Sequence, residues 1–79
     1  MNVNVLAFGI AKDIFGRSSV NVEIDRETTS GLKQTLEHQY PRLKQLASYM
    51  VAVNNEYASD DAILTERDEI AIIPPVSGG

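Results

Sequence analysis

The sequence predicts an α+β domain, a mixed β-sheet packed around one main helix. Three observations carry that expectation. Thr28–Tyr40 has apolar residues at helical spacing between a capping threonine and a proline. Several other stretches are short, rich in β-branched and aromatic residues, and separated by turn formers. The last stretch, Glu69–Ile73, is apolar on both of its faces, the pattern of a strand in the middle of a sheet.

Taken in order, Val3–Phe8 reads as the first strand. Val3 and Val5 point to one side, Leu6 and Phe8 to the other, so cover on both faces is expected. Ile10–Phe15 reads as a short helical connection closed by Gly16, where a positive φ costs nothing. In Ser19–Ile24, Val20, Val22 and Ile24 alternate with polar residues, which describes a half-buried strand. The helix then runs from Thr28 to Tyr40, with Leu32, Leu36 and Tyr40 as its apolar stripe, and Pro41 stops it. Leu43 and Leu46 suggest a further helical turn. Met50–Val53 is a strand, Asn54-Asn55 a tight turn, and a short strand returns through Tyr57. The order β-β-α-β-β-β with an apolar last strand is that of a β-grasp, or ubiquitin-like, fold. It occupies one domain, residues 1–79, with residues 74–79 as a tail.

Composition narrows the function. A chain of 79 residues has room for a single small core, which rarely supplies more than about 3–5 kcal/mol, so a partner that covers part of its surface is useful to it. A net charge of −4 with no Lys/Arg cluster argues against nucleic acid. No apolar run approaches the roughly 20 residues that span a bilayer, and the start MNVNVLAF lacks the basic region of a signal peptide. A cytoplasmic protein with no membrane contact is expected. There is no cysteine, which removes disulfides, thiolate metal sites and cysteine nucleophiles together. Sulfur chemistry, if present, is left with the carboxyl terminus.

The unusual segment is the end, Pro74-Pro75-Val76-Ser77-Gly78-Gly79. Two prolines cannot extend a ladder and favour a stiff, extended exit from the sheet. Beyond them the small residues suit a narrow tunnel, and from Pro75 to Gly79 the reach is roughly 15 Å at about 3.3 Å per residue. A terminal Gly-Gly alone reads as a frayed end; an apolar strand and a Pro-Pro spacer before it make it a probe. The terminal carboxylate is ionised at neutral pH and a poor electrophile. Adenylation by ATP is the usual activation, and attack of sulfide or persulfide on the acyl-adenylate leaves a thiocarboxylate.

On these residues the chain resembles the small subunits of molybdopterin synthase. The resemblance runs through VNVLAFGIAKDIFG, TTSGLKQTL and VAVNNE to LTERDEIAIIPPVSGG, and DEIAIIPPVSGG is its specific part. It implies adenylation of Gly79 by an enzyme related to ubiquitin activators, with ATP consumed there and no cofactor held by this chain. A sulfurtransferase then supplies sulfur. The thiocarboxylate tail enters a pocket of the large synthase subunit and donates sulfur to cyclic pyranopterin monophosphate, building the molybdopterin dithiolene. The resemblance implies a heterotetramer of two small and two large subunits, with acid–base groups on the large one and Gly79 as the only reacting position here. Pro74, Pro75, Val76, Ser77 and Gly78 form the partner-binding tail. Two departures stand out: Gly31 inside the helix, expected to weaken it by up to about 1 kcal/mol, and Ile72-Ile73 where related chains often carry aromatics.

Phe8, Phe15 and Ile73 are candidates either for the core or for an exposed partner patch. Asp60, Asp61, Glu66, Asp68 and Glu69 either steer the domain toward a basic pocket or are solvated turn residues. His38, the sole histidine, is expected on the surface, with no metal site around it. Two other functions share the same activation. In a ubiquitin-like modifier the nucleophile that takes Gly79 is a lysine amine; in a thiamine-pathway sulfur carrier the partner is a thiazole-forming enzyme.

Overall fold

The computed structural model describes residues 1–46 and 48–74. The elements are β1 (Asn2–Ala7), α1 (Ile10–Phe15), β2 (Ser19–Glu23), α2 (Thr29–Gln39), a 3-10 turn (Pro41–Gln45), β3 (Met50–Val53), β4 (Glu56–Tyr57) and β5 (Ile70–Ile73). Among the described residues the five strands form one sheet in the order β2-β1-β5-β3-β4. β1 and β5 run parallel, whereas β1–β2, β3–β5 and β3–β4 are antiparallel. This is the β-grasp expected from the sequence, and the last strand is its centre.

Local signals explain the boundaries. The Thr28 side chain accepts a hydrogen bond from the Gly31 N–H at 3.1 Å, which starts α2. Tyr40 leaves helical geometry immediately before Pro41, as a residue preceding proline tends to. Gly16 closes α1 at φ 78, and Asn54 and Asn55 turn the β3–β4 hairpin at φ 53 and 70. Gly31 is more than a weak helix residue. A Cβ built there would overlap the backbone carbonyl of Arg26, so only glycine lets the Arg26 loop lie against the helix. The expected helix-weakening cost is therefore offset by a close approach that a side chain would block.

The core lies between one sheet face and the helices. Val3, Val5, Ala7, Val20, Val22, Val51, Ile70 and Ile72 from the sheet meet Leu32 and Leu36 of α2 and Leu43 of the 3-10 turn. Leu64 seals the loop end and donates its N–H to the Glu27 carbonyl. The opposite sheet face is a different matter. Cover on both faces is expected for β1 and β5, yet among the described residues no helix lies over the second one. There Leu6, Ala71 and Ile73 are only half-buried. Among the described residues no helix is long and apolar enough to cross a membrane.

Candidate functional site

The open face is built by strand register. Ala71 pairs with Leu6 on one side and with Ala52 on the other, and Ala52 pairs in turn with Tyr57. Paired residues point to the same side of a sheet. Leu6, Ala71, Ala52 and Tyr57 therefore form one continuous row across four strands. Met50 and Ile73, also paired, start a second row beside it. Phe8, one residue past β1, joins them to line a shallow depression with Leu6, Ala52, Tyr57, Ala71 and Ile73; Asn55 and Glu69 form its polar rim. Phe8 is 51% exposed, Met50 47% and Tyr57 67%. Three large apolar side chains exposed around a half-covered apolar floor are the composition of a docking surface.

The chain end leaves from the same place. β5 stops at Ile73, and Pro74, without an N–H, ends the ladder. β1 runs parallel beside β5 and stops at Ala7, so Phe8 and Gly9 lie where the chain exits. Gly9 has φ 57 and ψ −131. This is the mirror image of the extended region, open to glycine alone. A Cβ at Gly9 would sit 3.3 Å from the Pro74 ring.

Of the residues the sequence singled out, Phe8 and Ile73 belong to the open face. Phe15 does not. It is 6% exposed, packed in the core with its ring 4.7 Å from that of Tyr40, so its partner-patch reading is corrected. Its position on the inner side of α1 is set by the buried Ala11 one turn earlier. Pro74 is half-buried at the exit; Pro75, Val76, Ser77, Gly78 and Gly79 lie outside the described residues. His38 is exposed on α2.

Two of the acidic residues hold turns. Asp60 pairs with Lys33 at 3.1 Å. Asp68 accepts from the Thr65 N–H at 2.8 Å and from the Asn54 amide at 3.0 Å. The Thr65 backbone donor first, then the Asn54 side chain, hold the Asp68 carboxyl below its ordinary range. Asp61, Glu66 and Glu69 remain exposed. On the helix side, Tyr49 donates its hydroxyl to Glu37 at 2.5 Å. Burial, reinforced by Glu37, pushes the Tyr49 phenol well above its ordinary range.

Sequence reasoning missed Met50 and Tyr57 as members of the site. Period-two alternation separates their face from the core face, but only the register shows that the two rows meet across strands.

Comparison with known proteins follows the same lines. The sequence profile of the ThiS family matches residues 5–79. The chain is 40% identical over 80 residues to the molybdopterin synthase sulfur carrier subunit of Dictyostelium discoideum, covering 95% of this chain and 93% of that one. In structure it is similar to SAMP1, a small archaeal modifier protein of Haloferax volcanii, with TM-score 0.84, 25% identity and full coverage of both chains. It also resembles a chain in the complex of subunits 1 and 2 of the molybdopterin-converting factor of Helicobacter pylori, with TM-score 0.69, 25% identity and full coverage of both.

Proposed function

The chain belongs to the ThiS family, and from that premise we propose that it is the sulfur carrier subunit of a molybdopterin synthase. The observation that carries this reading is where β5 ends. The central strand delivers the chain end at the margin of the open apolar face. A partner that covers the face thereby receives the tail.

In this reading an activating enzyme transfers AMP from ATP to the carboxylate of Gly79 and releases pyrophosphate. Sulfur at the hydrosulfide level, supplied through a sulfurtransferase, attacks the acyl carbon, expels AMP and leaves a thiocarboxylate. The carrier docks on the large subunit through Phe8, Tyr57 and Ile73, and Pro74 to Gly78 thread into its pocket. There the thiocarboxylate sulfur displaces an oxygen substituent of cyclic pyranopterin monophosphate. Water then cleaves the acyl–sulfur bond, leaving the sulfur on the pterin and returning the tail to a carboxylate. Two charged carriers supply the two dithiolene sulfurs, which suits an assembly of two small and two large subunits in the cytoplasm. Acid–base work falls to the large subunit, because this chain has no cysteine and its one histidine is exposed on the far helix. Supporting the partner assignment, the Helicobacter pylori relative is found in complex with a second subunit.

Intact-protein mass spectrometry tests the chemistry. After incubation with ATP, a cognate activating enzyme and a sulfur source, one terminal oxygen should be replaced by sulfur at Gly79. Deleting Gly79 should abolish the reaction without moving the unfolding midpoint. A truncated chain that still forms molybdopterin with the large subunit would end this reading.

The likeness to SAMP1 favours a second reading, conjugation of Gly79 to lysine amines. The acyl-adenylate is common to both, and an isopeptide-linked Gly79 on cellular proteins is its distinguishing product.

A further inference from the structure

The geometry points to Gly9 as a positioning residue for sulfur transfer, the support against which Pro74 sets the direction of the tail. The inference rests on the carrier reading above and adds to it a residue far from the reacting carboxyl.

Three observations converge on Gly9. The first is register: Ala7 pairs with Ile72, so two residues further along the parallel strands Gly9 comes opposite Pro74. The second is proximity, since a Cβ on Gly9 would stand 3.3 Å from Pro74 Cγ, closer than such atoms normally approach. The third is conformation. Gly9 sits at φ 57, ψ −131, and this backbone is held on its far side because its carbonyl accepts the Lys12 N–H at 3.1 Å. The Phe8 carbonyl likewise accepts the Ala11 N–H at 3.1 Å. The turn into α1 therefore fixes the Gly9 peptide, and the bare Cα of Gly9 leaves the Pro74 ring its place. The proline has no N–H to be aligned by the ladder. The space left beside the bare Cα of Gly9 does that aligning instead.

The leverage is large. Five residues beyond Pro74 reach at most roughly 16 Å at about 3.3 Å each, so a tilt of about 5° at Pro74 moves the tip by more than about 1 Å. Misplacement of that size is enough to cost a positioned reaction about 10²-fold.

The test uses the thiocarboxylated carrier with the large subunit in single turnover, reading both the dissociation constant and the rate of sulfur transfer. Gly9→Ala should slow transfer by roughly 10²-fold while the dissociation constant changes less than about threefold. Pro74→Ala should slow transfer by itself. In the double variant Gly9→Ala/Pro74→Ala the loss of transfer should be smaller than the product of the two single losses. The ring that the alanine displaces is gone, and only the backbone strain at position 9 is left. Transfer at the parent rate in Gly9→Ala, a loss found entirely in the dissociation constant, or penalties that simply multiply would each overturn the inference. If Gly9→Ala does not fold, Pro74→Ala decides: parental transfer overturns the inference, and slowed transfer at parental affinity supports it. A parent carrier that gives up no sulfur to the large subunit overturns the carrier reading, and this one with it.

Discussion

Asn54 and Asp68 lock the end of β3 to the start of β5 from both directions. The Asn54 amide donates to Asp68 at 3.0 Å, and the Asn54 carbonyl oxygen accepts from the Glu69 N–H at 2.9 Å. The Asn54 N–H in turn donates to the Glu69 carbonyl at 2.8 Å. A residue chosen for its tolerance of positive φ in a hairpin turn thus also aligns the central strand.

Asp68→Ala should lower stability by about 1 kcal/mol, the worth of a lost side-chain cap on the Thr65 N–H. The pH dependence has a definite sign. The folded carboxyl titrates below its unfolded value of about 3.9, so its contribution is present above that pH and lost as pH falls through the folded value. Urea unfolding from pH 6 to pH 2.5 should show a shallower acid decline for the variant than for the parent. Parallel curves would mean the cap contributes nothing.

Tyr49 gives the opposite sign at the alkaline end. Its phenol is held protonated by burial and by Glu37, so the stability it contributes is present below about pH 10 and lost as pH rises beyond it. In an alkaline titration followed by phenolate absorbance, part of the signal should appear only as the protein unfolds. Tyr49→Phe should remove that late component; its persistence in the variant would assign it elsewhere.

Gly31→Ala should destabilise by about 1–3 kcal/mol, although helix propensity alone favours alanine by up to about 1 kcal/mol. The collision with the Arg26 carbonyl decides the sign. A raised thermal midpoint would show that the Arg26 loop yields easily.

Ile72 and Ile73 are adjacent in sequence and opposite in role. Ile72 is fully buried, so Ile72→Asp places an unpaired charge in the core and should cost more than about 3 kcal/mol. Ile73→Asp, on the open face beside Met50, should fold with a smaller loss and weaken binding to the large subunit by roughly 10-fold or more. Equal effects of the two on thermal unfolding would mean that the second face is not free.

That pair also marks the limit of what the sequence says. Thr28, Pro41, Gly16 and Asn54-Asn55 announced their element boundaries because caps and turns are local chemistry. The apolar run at Ile70–Ile73 announced a central strand for the same reason. Transfer free energy does not record which molecule supplies the cover, so Ile73 stays open between core and exposed patch until the register places it, half-buried, on the open face. Phe15 was undecided and Gly31 read only as a weak helix residue, because their neighbours, Tyr40 and Arg26, approach only through the tertiary fold.

The tail hangs from a strand flanked on both sides, by β1 and by β3. A strand at a sheet edge can be peeled away one bond at a time, and chain ends are where such fraying begins. A pull on Pro74 along the axis of β5 meets both ladders in shear, with every bond sharing the load. For the proposed carrier, withdrawing the tail from its partner would therefore load both ladders at once.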